Sequence, residues 1–343
     1  MNEINWGIIG LGEIALKFAE GFKNVKNSRL IAVSSKNTNK LENFKKKFQI
    51  NEKYCFSKYE DLLENEDIDI VYIALPNSFH SEWIIKCIKN DKNILVEKPA
   101  TINYSEIKNI KTHFDNKNLF FSEGFMYLHH PQIFKVINLI KENVIGKLIS
   151  MNSSYGVNLL TKKNFFGFQK KKKIDKKNRL FNKELGGGAI LDLGCYPLSL
   201  SVMIAKLIGN FNYENIKILN KKIDIIETGV DVDSFIELDF GNNFVANIQT
   251  SFKKNLGMQT QIKGEVGDLI IENTWTGNPS LIKINSKEKG LKEIKINCFD
   301  NIYSYEIENL SKCLLEKKRE PEFPILTFND TLENMKIIDK WLK

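Results

Sequence analysis

The sequence has little that would mark a secreted, membrane or metal-binding protein. Its five cysteines are an odd number, scattered and without a CxxC pair, which argues against a disulfide framework and a zinc site. No uninterrupted apolar run reaches the roughly 18–20 residues that span a bilayer. The opening residues, MNEINWGIIG, lack the basic start and apolar block of a signal peptide. We therefore expect a cytoplasmic protein with no metal and no membrane partner.

Positive charge is concentrated at one place. The formal net charge is +8, and the dense basic run is QKKKKIDKKNR at residues 169–179. Clustered cations attract polyanions, but no aromatic side chains are interleaved to stack on bases. We therefore expect a solvated loop and no nucleic-acid partner. Because the run precedes a cluster of glycines, a contact with an anionic substrate stays open.

The length and the pattern of apolar runs predict two domains. A chain of 343 residues exceeds what one hydrophobic core usually supports. Up to residue 124, short apolar runs such as INWGIIG (4–10) and NILVEKP (93–99) alternate with amphipathic stretches. Near-continuous apolar strands separated by helices are typical of a parallel sheet covered on both faces. Residues 1–124 are therefore predicted to form a doubly wound Rossmann domain, an α/β fold.

The remaining residues, 125–343, are predicted to form an α+β domain with an open, mostly antiparallel sheet. Polar and apolar residues alternate from 222 to 298, and GNN at 241–243 is a hairpin signal. Apolar residues fall on both faces of the segment 232–252, which is compatible with a covered outer face. The outer face of such a sheet commonly pairs with another subunit, so we expect a homo-oligomer formed through this sheet.

A glycine turn follows the first predicted strand. Residues 10–15, GLGEIA, form a G-x-G-x-x-A pattern in which Gly10 allows the tight turn and Gly12 allows close approach of a pyrophosphate. Ala15 keeps helix and strand close, and the phosphates would lie on the helix N-terminus at Glu13 and Ile14. The pattern predicts a bound dinucleotide; the alternative is a tight turn in an unliganded Rossmann-like domain.

The end of the second predicted strand distinguishes between the two nicotinamide dinucleotides. An NAD-binding domain usually has Asp or Glu there to hold the ribose hydroxyls. The segment LIAVSSKNTNK (30–40) has no carboxylate. It offers Ser34, Ser35, Lys36 and Lys40, and hydroxyls and cations suit a 2′-phosphate. We predict NADP, with NAD possible; the alternative for both lysines is an ordinary basic turn.

Two further strands end in polar residues. Ligands of an open parallel sheet bind beyond the carboxyl ends of its strands. IALPNSFH (73–80) and NILVEKPA (93–100) both end at that edge, and a lysine beside a proline at a strand end is not a packing choice. For His80, an exposed position at a helix N-terminus remains an alternative. The expected cofactor contacts are Leu75, Pro76, Asn77, His80, Glu97 and Lys98.

A triple glycine opens a second helix. In LGGGAILDLGCYP (185–197) the glycines indicate a close backbone approach or a turn with positive φ. Asp192 and Tyr196 are four residues apart, which places them on one helical face. Pro197 is expected to kink or restart the helix just after the tyrosine. This acid and phenol could reach a cleft between domains; the alternative is a capped surface helix with a half-buried tyrosine.

Four other residues are candidates for contact with a substrate. Adjacent histidines point in different directions, so one metal is not expected to bind both members of the pair at 129–130. One of them, His129, is expected to line the pocket. Tyr127 and Trp275 are either pocket walls or ordinary core aromatics, and Arg179 ends the basic run.

Several of these motifs together resemble one known family. The G-x-G-x-x-A turn, IALPNSFH, VEKP, EGFMYLHHPQ (123–132) and GGGAILDLGCYP are similar to motifs of the glucose–fructose oxidoreductase, inositol dehydrogenase and MocA family. The resemblance covers nearly the whole chain. FMYLHHPQ, LGGGAILDLGCYP and NRLFNKELGGG are most similar to the branch with dimeric dihydrodiol dehydrogenases and D-xylose dehydrogenases.

The resemblance implies a two-domain NAD(P)-dependent oxidoreductase that acts on sugars, sugar nucleotides or related diols and ketones. It places Lys98 near the nicotinamide and the reacting oxygen, and Asp192 and Tyr196 at the acid and proton-transfer positions. Many members carry histidine where this chain has Tyr196, whereas the dihydrodiol branch carries tyrosine. The family often assembles into dimers or tetramers.

The implied chemistry is hydride transfer coupled to proton transfer. The positive charge of Lys98 would favour the phenolate of Tyr196, which could then carry the proton, while Asp192 orients the substrate hydroxyl or fixes Lys98. Alternatively, Lys98 itself is the acid in the reductive direction. Two other functions stay open: a ketoreductase for a nucleotide-linked sugar, and an NADP-binding redox sensor without turnover.

Overall fold

The chain divides into two compact units. The computed structural model describes residues 3–163, 169–288, 290–299 and 301–343. The first unit holds the residues up to His130 together with Phe299–Met335, and the second holds Pro131–Cys298 together with Lys336–Lys343. A single boundary at residue 124 is therefore wrong for residues 299–335, which return to the first unit.

The first unit contains a parallel sheet of six strands in the order β3-β2-β1-β4-β5-β6. This order reverses between β1 and β4, as in doubly wound dinucleotide-binding folds, and it confirms the predicted Rossmann sheet. The strands are β1 (Ile4–Ile9), β2 (Ser28–Ser34), β3 (Cys55–Phe56), β4 (Ile70–Ile73), β5 (Asn93–Glu97) and β6 (Phe121–Gly124).

Helices cover this sheet, and one of them comes from late in the chain. Helix α8 packs here because its Ser311 accepts a hydrogen bond from the indole Nε1 of the buried Trp6 at 2.9 Å. The ring of Tyr303 also meets that of Phe18 at 5.8 Å. The helices of this unit are α1 (Glu13–Gly21), α2 (Thr38–Phe48), α3 (Tyr59–Leu63), α4 (His80–Lys89), α5 (Tyr104–Phe114) and α8 (Tyr303–Leu315).

The second unit contains a sheet of eight strands in the order β10-β11-β12-β7-β13-β14-β15-β16. Among the described strands of this sheet, only β12 and β7 pair in parallel, so the predicted open, mostly antiparallel sheet is confirmed. The hairpin at 241–243 joins β11 to β12. The strands are β7 (Leu148–Gly156), β10 (Lys217–Ile225), β11 (Asp231–Asp239), β12 (Val245–Ser251), β13 (Thr260–Gly264), β14 (Gly267–Ile271), β15 (Leu281–Ser286) and β16 (Gly290–Lys295). A separate two-stranded ribbon joins β8 (Thr161–Lys163) and β9 (Gln169–Lys171).

The helices of the second unit include a buried core helix. They are α6 (Pro131–Lys141) and α7 (Cys195–Ala205), and α9 (Phe328–Leu342) starts in the first unit and ends in the second. The segment Lys183–Ile208 is long and apolar enough to cross a membrane by length and composition, but 94% of its most apolar window is buried inside the protein. Burial in a protein core accounts for its apolar composition.

Candidate active site

The glycine turn after β1 is tightly packed on one side. Gly10 has φ +89°, and a Cβ there would lie 2.7 Å from both the carbonyl oxygen of Ala74 and the Cδ2 of Leu75. Its N–H donates to the carbonyl of Ser34 at 3.1 Å. Only glycine fits both the positive φ and the close approach. Leu75, a predicted cofactor contact, thus also shapes this turn.

The other side of the turn is open. Gly12 precedes α1, and a Cβ there would have no atom within 4 Å. The first-turn amides of Glu13, Ile14 and Ala15 lie where a helix supplies no carbonyl partner, and the helix dipole favours an anion there. Ala15 is buried. Open space beside free amides fits the pyrophosphate of a dinucleotide.

The end of β2 separates buried hydroxyls from exposed cations. Ser34 is buried and its hydroxyl donates to the carbonyl of Phe56 at 2.9 Å, while the buried Ser35 Oγ accepts from the N–H of Asn37 at 3.1 Å. Lys36 and Lys40 are exposed. The cations are therefore accessible to a ligand, whereas the Ser34 hydroxyl is already used within the fold.

His80, at the start of α4, is fully buried, so an exposed helix N-terminus is the wrong interpretation. Its Nδ1 lies 2.9 Å from the carbonyl oxygen of Pro99, and its Nε2 lies 2.8 Å from that of Leu75. The ring therefore joins the segments that follow β4 and β5. Near it, Pro76 is half-buried and Asn77 is buried.

Lys98 is half-buried directly after β5. The preceding residue, Glu97, is buried, and its carboxylate forms a short hydrogen bond with the hydroxyl of Tyr72. Burial, with the nearby Glu97 charge, raises the pKa of Tyr72 well above its ordinary value, so the phenol remains protonated and donates to Glu97. Lys98 thus follows a residue that is fixed in the core.

Sequence reasoning missed Glu123, at the carboxyl end of β6. This buried side chain accepts the N–H of Ala100 at 2.9 Å and the hydroxyl of Thr331 at 2.8 Å. Burial raises its pKa to about 7. The signal in the sequence is an acidic residue at the end of an apolar strand, next to a glycine.

Tyr127 and His129 lie in the interior of the first unit, fully or almost fully buried. His129 Nε2 is 3.8 Å from the carboxylate of Glu306, and its Nδ1 is 3.4 Å from the amide of Asn309. Burial lowers the pKa of His129 to about 3 and raises that of Glu306 well above its ordinary value. Burial therefore favours the neutral form of both groups. The predicted contact of Tyr127 and His129 with a substrate stays a prediction.

In the second unit, other atoms of the same unit fill the space beside the triple glycine. Gly188 has φ +116°, and a Cβ there would lie 2.3 Å from the carboxylate Oδ1 of Asp231, while one at Gly187 would lie 2.5 Å from the carbonyl of Arg179. The other carboxylate oxygen of Asp231 accepts the N–H of Ile190 at 2.9 Å. Both predicted explanations, close approach and positive φ, therefore apply.

A π-helical turn, Ile190–Gly194, carries Asp192 and leads into α7. The α-helix begins at Cys195 and continues through Pro197, so a restart after Tyr196 is wrong. The proline therefore lies inside a continuous helical segment, three residues after the π-helical turn ends. Such wide turns occur often at functional sites.

Tyr196 is almost buried in a cluster of aromatic rings. The ring of Tyr155 meets it edge-on at 5.4 Å, and that of Trp275 lies at 5.7 Å. The Trp275 indole is itself fixed, since its Nε1 donates to the carbonyl of Ser154 at 3.0 Å. Trp275 is fully buried, so its indole forms a fixed wall against which the ring of Tyr196 packs. Sequence reasoning missed Tyr155, which lies in an alternating strand without a distinguishing signal.

Asp192 is paired with Arg179. The guanidinium Nη1 lies 3.2 Å from the carboxylate, with side-chain exposures of 47% and 14%. The ion pair orients the carboxylate of Asp192. Because the arginine side of the pair is open to solvent, that carboxylate is still accessible. Arg179, predicted to contact substrate, thus first serves to hold the acid. Among the residues that the structure describes, no group of three or more His, Cys, Asp or Glu side chains could hold a metal.

The fold and the open glycine turn define a dinucleotide-binding protein. Residues 4–125 match the family model described as an oxidoreductase family with an NAD-binding Rossmann fold, and residues 133–270 match the GFO/IDH/MocA C-terminal domain. The chain belongs to the GFO/IDH/MocA family of NAD(P)-binding oxidoreductases. The predicted family, fold class and enzyme class are thereby confirmed.

Similar proteins extend over the whole chain. A trans-1,2-dihydrobenzene-1,2-diol dehydrogenase of Xenopus tropicalis is 28% identical over 346 residues, covering 98% of this chain and 97% of the relative. A 3-ketoreductase from Actinomadura kijaniata, solved with NADP and TDP-benzene, has a TM-score of 0.81 at 22% identity, covering 98% and 96%. An aldose-aldose oxidoreductase from Caulobacter crescentus has a TM-score of 0.83 at 19% identity, covering 99% and 96%. The solved structures share the fold.

Proposed function

We propose that this protein is an NADP-dependent oxidoreductase that transfers a hydride between nicotinamide and a carbinol or carbonyl carbon of a small diol or sugar. The observation that carries the proposal is the end of β2, where Lys36 and Lys40 are exposed and no carboxylate occurs from residue 30 to 40. A carboxylate there would repel a 2′-phosphate, and cations attract it. The NADP complex of the Actinomadura ketoreductase supports this choice.

Lys98, Asp192 and Tyr196 have different roles in the proposed proton transfer. When bound, NADP supplies the hydride acceptor or donor. When an alcohol is oxidised, Tyr196 as the phenolate takes the proton of the substrate hydroxyl and becomes the neutral phenol. The resemblance to the family implies that the ammonium of Lys98 favours the phenolate before this step, because a cation favours the charged form of a phenol. Asp192, held by Arg179, orients the hydroxyl. The alternative, with Lys98 as the acid in the reductive direction, stays open.

Two substrate classes remain in competition. Similarity to a dihydrodiol dehydrogenase over nearly the full length of both chains supports a small diol. The second class, a nucleotide-linked sugar, is favoured by a cavity of about 200 Å³ at the basic run. Its lining includes Lys172 and Lys173, one acidic residue, Asp175, and the apolar Leu160 and Phe181. Lysines beside an apolar wall are suited to a diphosphate joined to a base.

Measurements of turnover distinguish an oxidoreductase from an NADP-binding redox sensor. NADPH oxidation is measured with a panel of diketones, sugars and nucleotide-linked ketosugars, and NADP⁺ reduction with diols. Tyr196→Phe should lower kcat by about 10²–10⁴-fold with unchanged NADPH affinity, and Tyr213→Phe, a tyrosine outside the proposed site, should retain activity. Tight NADPH binding without turnover of any compound would favour a redox sensor and reject the proposal.

The basic run distinguishes the substrate classes. Deletion of the four lysines at 170–173 should raise KM for a nucleotide-linked ketosugar and leave KM for a free sugar or diol unchanged, since only the former carries a diphosphate. Equal effects on both would remove the support for the second class.

We also propose a cytoplasmic homodimer or homotetramer that buries the outer face of the eight-stranded sheet. Phe235, Asn247, Gln249 and Gln261 line a shallow depression of about 310 Å³ on this face. In the segment 232–252, the buried apolar residues include Ile236, Phe240 and Phe244, while Val245 is half-buried. Light scattering of the wild type and of Phe235→Glu tests the assembly; a monomeric wild type would reject it.

A further inference from the structure

His80 occupies an unusual hydrogen-bonding position. Its ring is fully buried, and each ring nitrogen faces a backbone carbonyl oxygen: Pro99 at 2.9 Å from Nδ1 and Leu75 at 2.8 Å from Nε2. A carbonyl oxygen can only accept. A neutral imidazole carries one N–H and one lone pair, so it could satisfy only one of these contacts. The imidazolium donates to both.

We propose that His80 is a positioning residue for Lys98, held as an imidazolium that donates to Leu75 and Pro99 and so clamps together the segments after β4 and β5. The inference rests on the proposed function in one respect, the role of Lys98. The charge state and the clamp are argued from the two ring contacts and do not depend on that function.

A single peptide group connects the ring to a buried carboxyl. The carbonyl of Pro99 and the N–H of Ala100 belong to the same peptide, and Glu123 accepts that N–H at 2.9 Å. A hydrogen bond at one end of a peptide strengthens the bond at its other end. Burial of the ring and the N-terminus of α4 both oppose a positive charge at His80, whereas the two carbonyl oxygens in direct contact with its ring nitrogens favour it.

The contacts fix Lys98 from both sides. Before it, Glu97 is bonded to the hydroxyl of Tyr72 in the core. After it, His80 and Glu123 hold the peptide that joins Pro99 to Ala100. The other donor contact of His80 reaches Leu75, whose Cδ2 packs beside Gly10 in the glycine turn. One ring thus links the position of the lysine to that of the turn proposed to bind the cofactor.

The protonation of His80 can be measured directly in the wild-type protein. The chain contains four histidines, so ¹⁵N-histidine labelling gives few signals, and loss of one in His80→Gln assigns it. We expect both ring nitrogens of His80 to carry a proton at neutral pH. An unprotonated nitrogen on this ring would overturn the proposal. This measurement requires no turnover, so it is independent of the proposed function.

Kinetics test the positioning role. His80→Phe keeps a ring without donors and should lower kcat by about 100-fold, while His80→Gln, which keeps an N–H donor, should recover part of the loss. Activity is normalised to the NADPH-binding fraction, so a loss of folded protein alone would leave kcat unchanged. His113→Gln, on α5, is the matched control. An unchanged normalised kcat in His80→Phe would overturn the proposal, whereas a wild type without turnover would reject only the proposed function.

Discussion

The two units each begin a chemically important helix with a glycine turn, but they use the glycines differently. In the first unit, a Cβ at Gly12 would enter open space beside the first turn of α1. In the second, a Cβ at Gly187 or Gly188 would collide with a carbonyl or a carboxylate of the same unit. The first turn leaves room for a ligand, whereas the second is filled by the protein. Glycine patterns of similar appearance can therefore serve recognition or packing.

The units are alike in another respect. Each has a buried carboxyl that accepts a backbone N–H two residues from a proposed catalytic side chain: Glu123 binds Ala100, after Lys98, and Asp231 binds Ile190, before Asp192. Burial raises the pKa of Glu123 to about 7 and that of Asp231 to about 6. Burial of these carboxyl groups costs free energy. In each unit, however, the buried carboxyl fixes the segment that holds a proposed catalytic side chain.

The largest effect is expected at the filled turn. Gly188→Ala should lower the free energy of unfolding by about 3 kcal/mol, because it combines strain at positive φ with a collision against Asp231. Gly241→Ala is the matched control: it also has positive φ, but a Cβ there meets nothing within 4 Å. Urea unfolding measures both. Equal losses would show that the collision contributes nothing.

The buried carboxyl of the first unit should produce a pH-dependent effect. The pKa of Glu123 rises from 4.5 to about 7 on folding, so between these values the folded state holds a proton that the unfolded chain has lost. Stability from this group is complete below about pH 4.5 and is lost as pH rises through about 7. Glu123→Gln should therefore raise the free energy of unfolding at pH 8 by up to about 3 kcal/mol.

The same measurement at low pH provides the control. Near pH 4 the carboxyl is protonated in both states, so the difference between Glu123→Gln and the wild type should shrink. A gain of equal size at both pH values would contradict the assigned titration. The amide retains an acceptor for Ala100 and gains a donor for Thr331.

The smallest effect on stability is expected at the open turn. Gly12→Ala should leave the free energy of unfolding within about 0.5 kcal/mol of the wild type. It should nevertheless weaken NADPH binding by about tenfold, because the methyl group occupies space proposed for the pyrophosphate. Fluorescence titration measures the affinity. An unchanged affinity would show that the space at Gly12 does not receive the cofactor.

Local patterns predicted much of the fold and of the candidate cofactor site. The turn at Gly10 and Gly12 and the hairpin at 241–243 are encoded within a few residues, so periodicity and turn chemistry were sufficient. The absence of a carboxylate near Lys36 was also visible in the sequence. These features depend on neighbours along the chain.

The rest depends on residues that are distant in sequence. His80 meets Pro99, 19 residues away, through a backbone carbonyl that no side-chain pattern reveals. Glu123 and Asp231 bind backbone amides in the same way. The amphipathic pattern of α8 predicts a helix, but only its contacts with Trp6 and Phe18 show that it belongs to the first unit.

The return of α8 has a consequence for how such proteins can be recombined. Residues 299–335 complete the hydrophobic core around the first strand, although more than 160 residues of another unit separate them from His130. The nucleotide-binding unit is therefore not one continuous segment of the chain, and a single crossover could not transfer it to another gene. An exchange between homologues would have to carry both segments together, or the tryptophan of the first strand would lose the helix that shelters it.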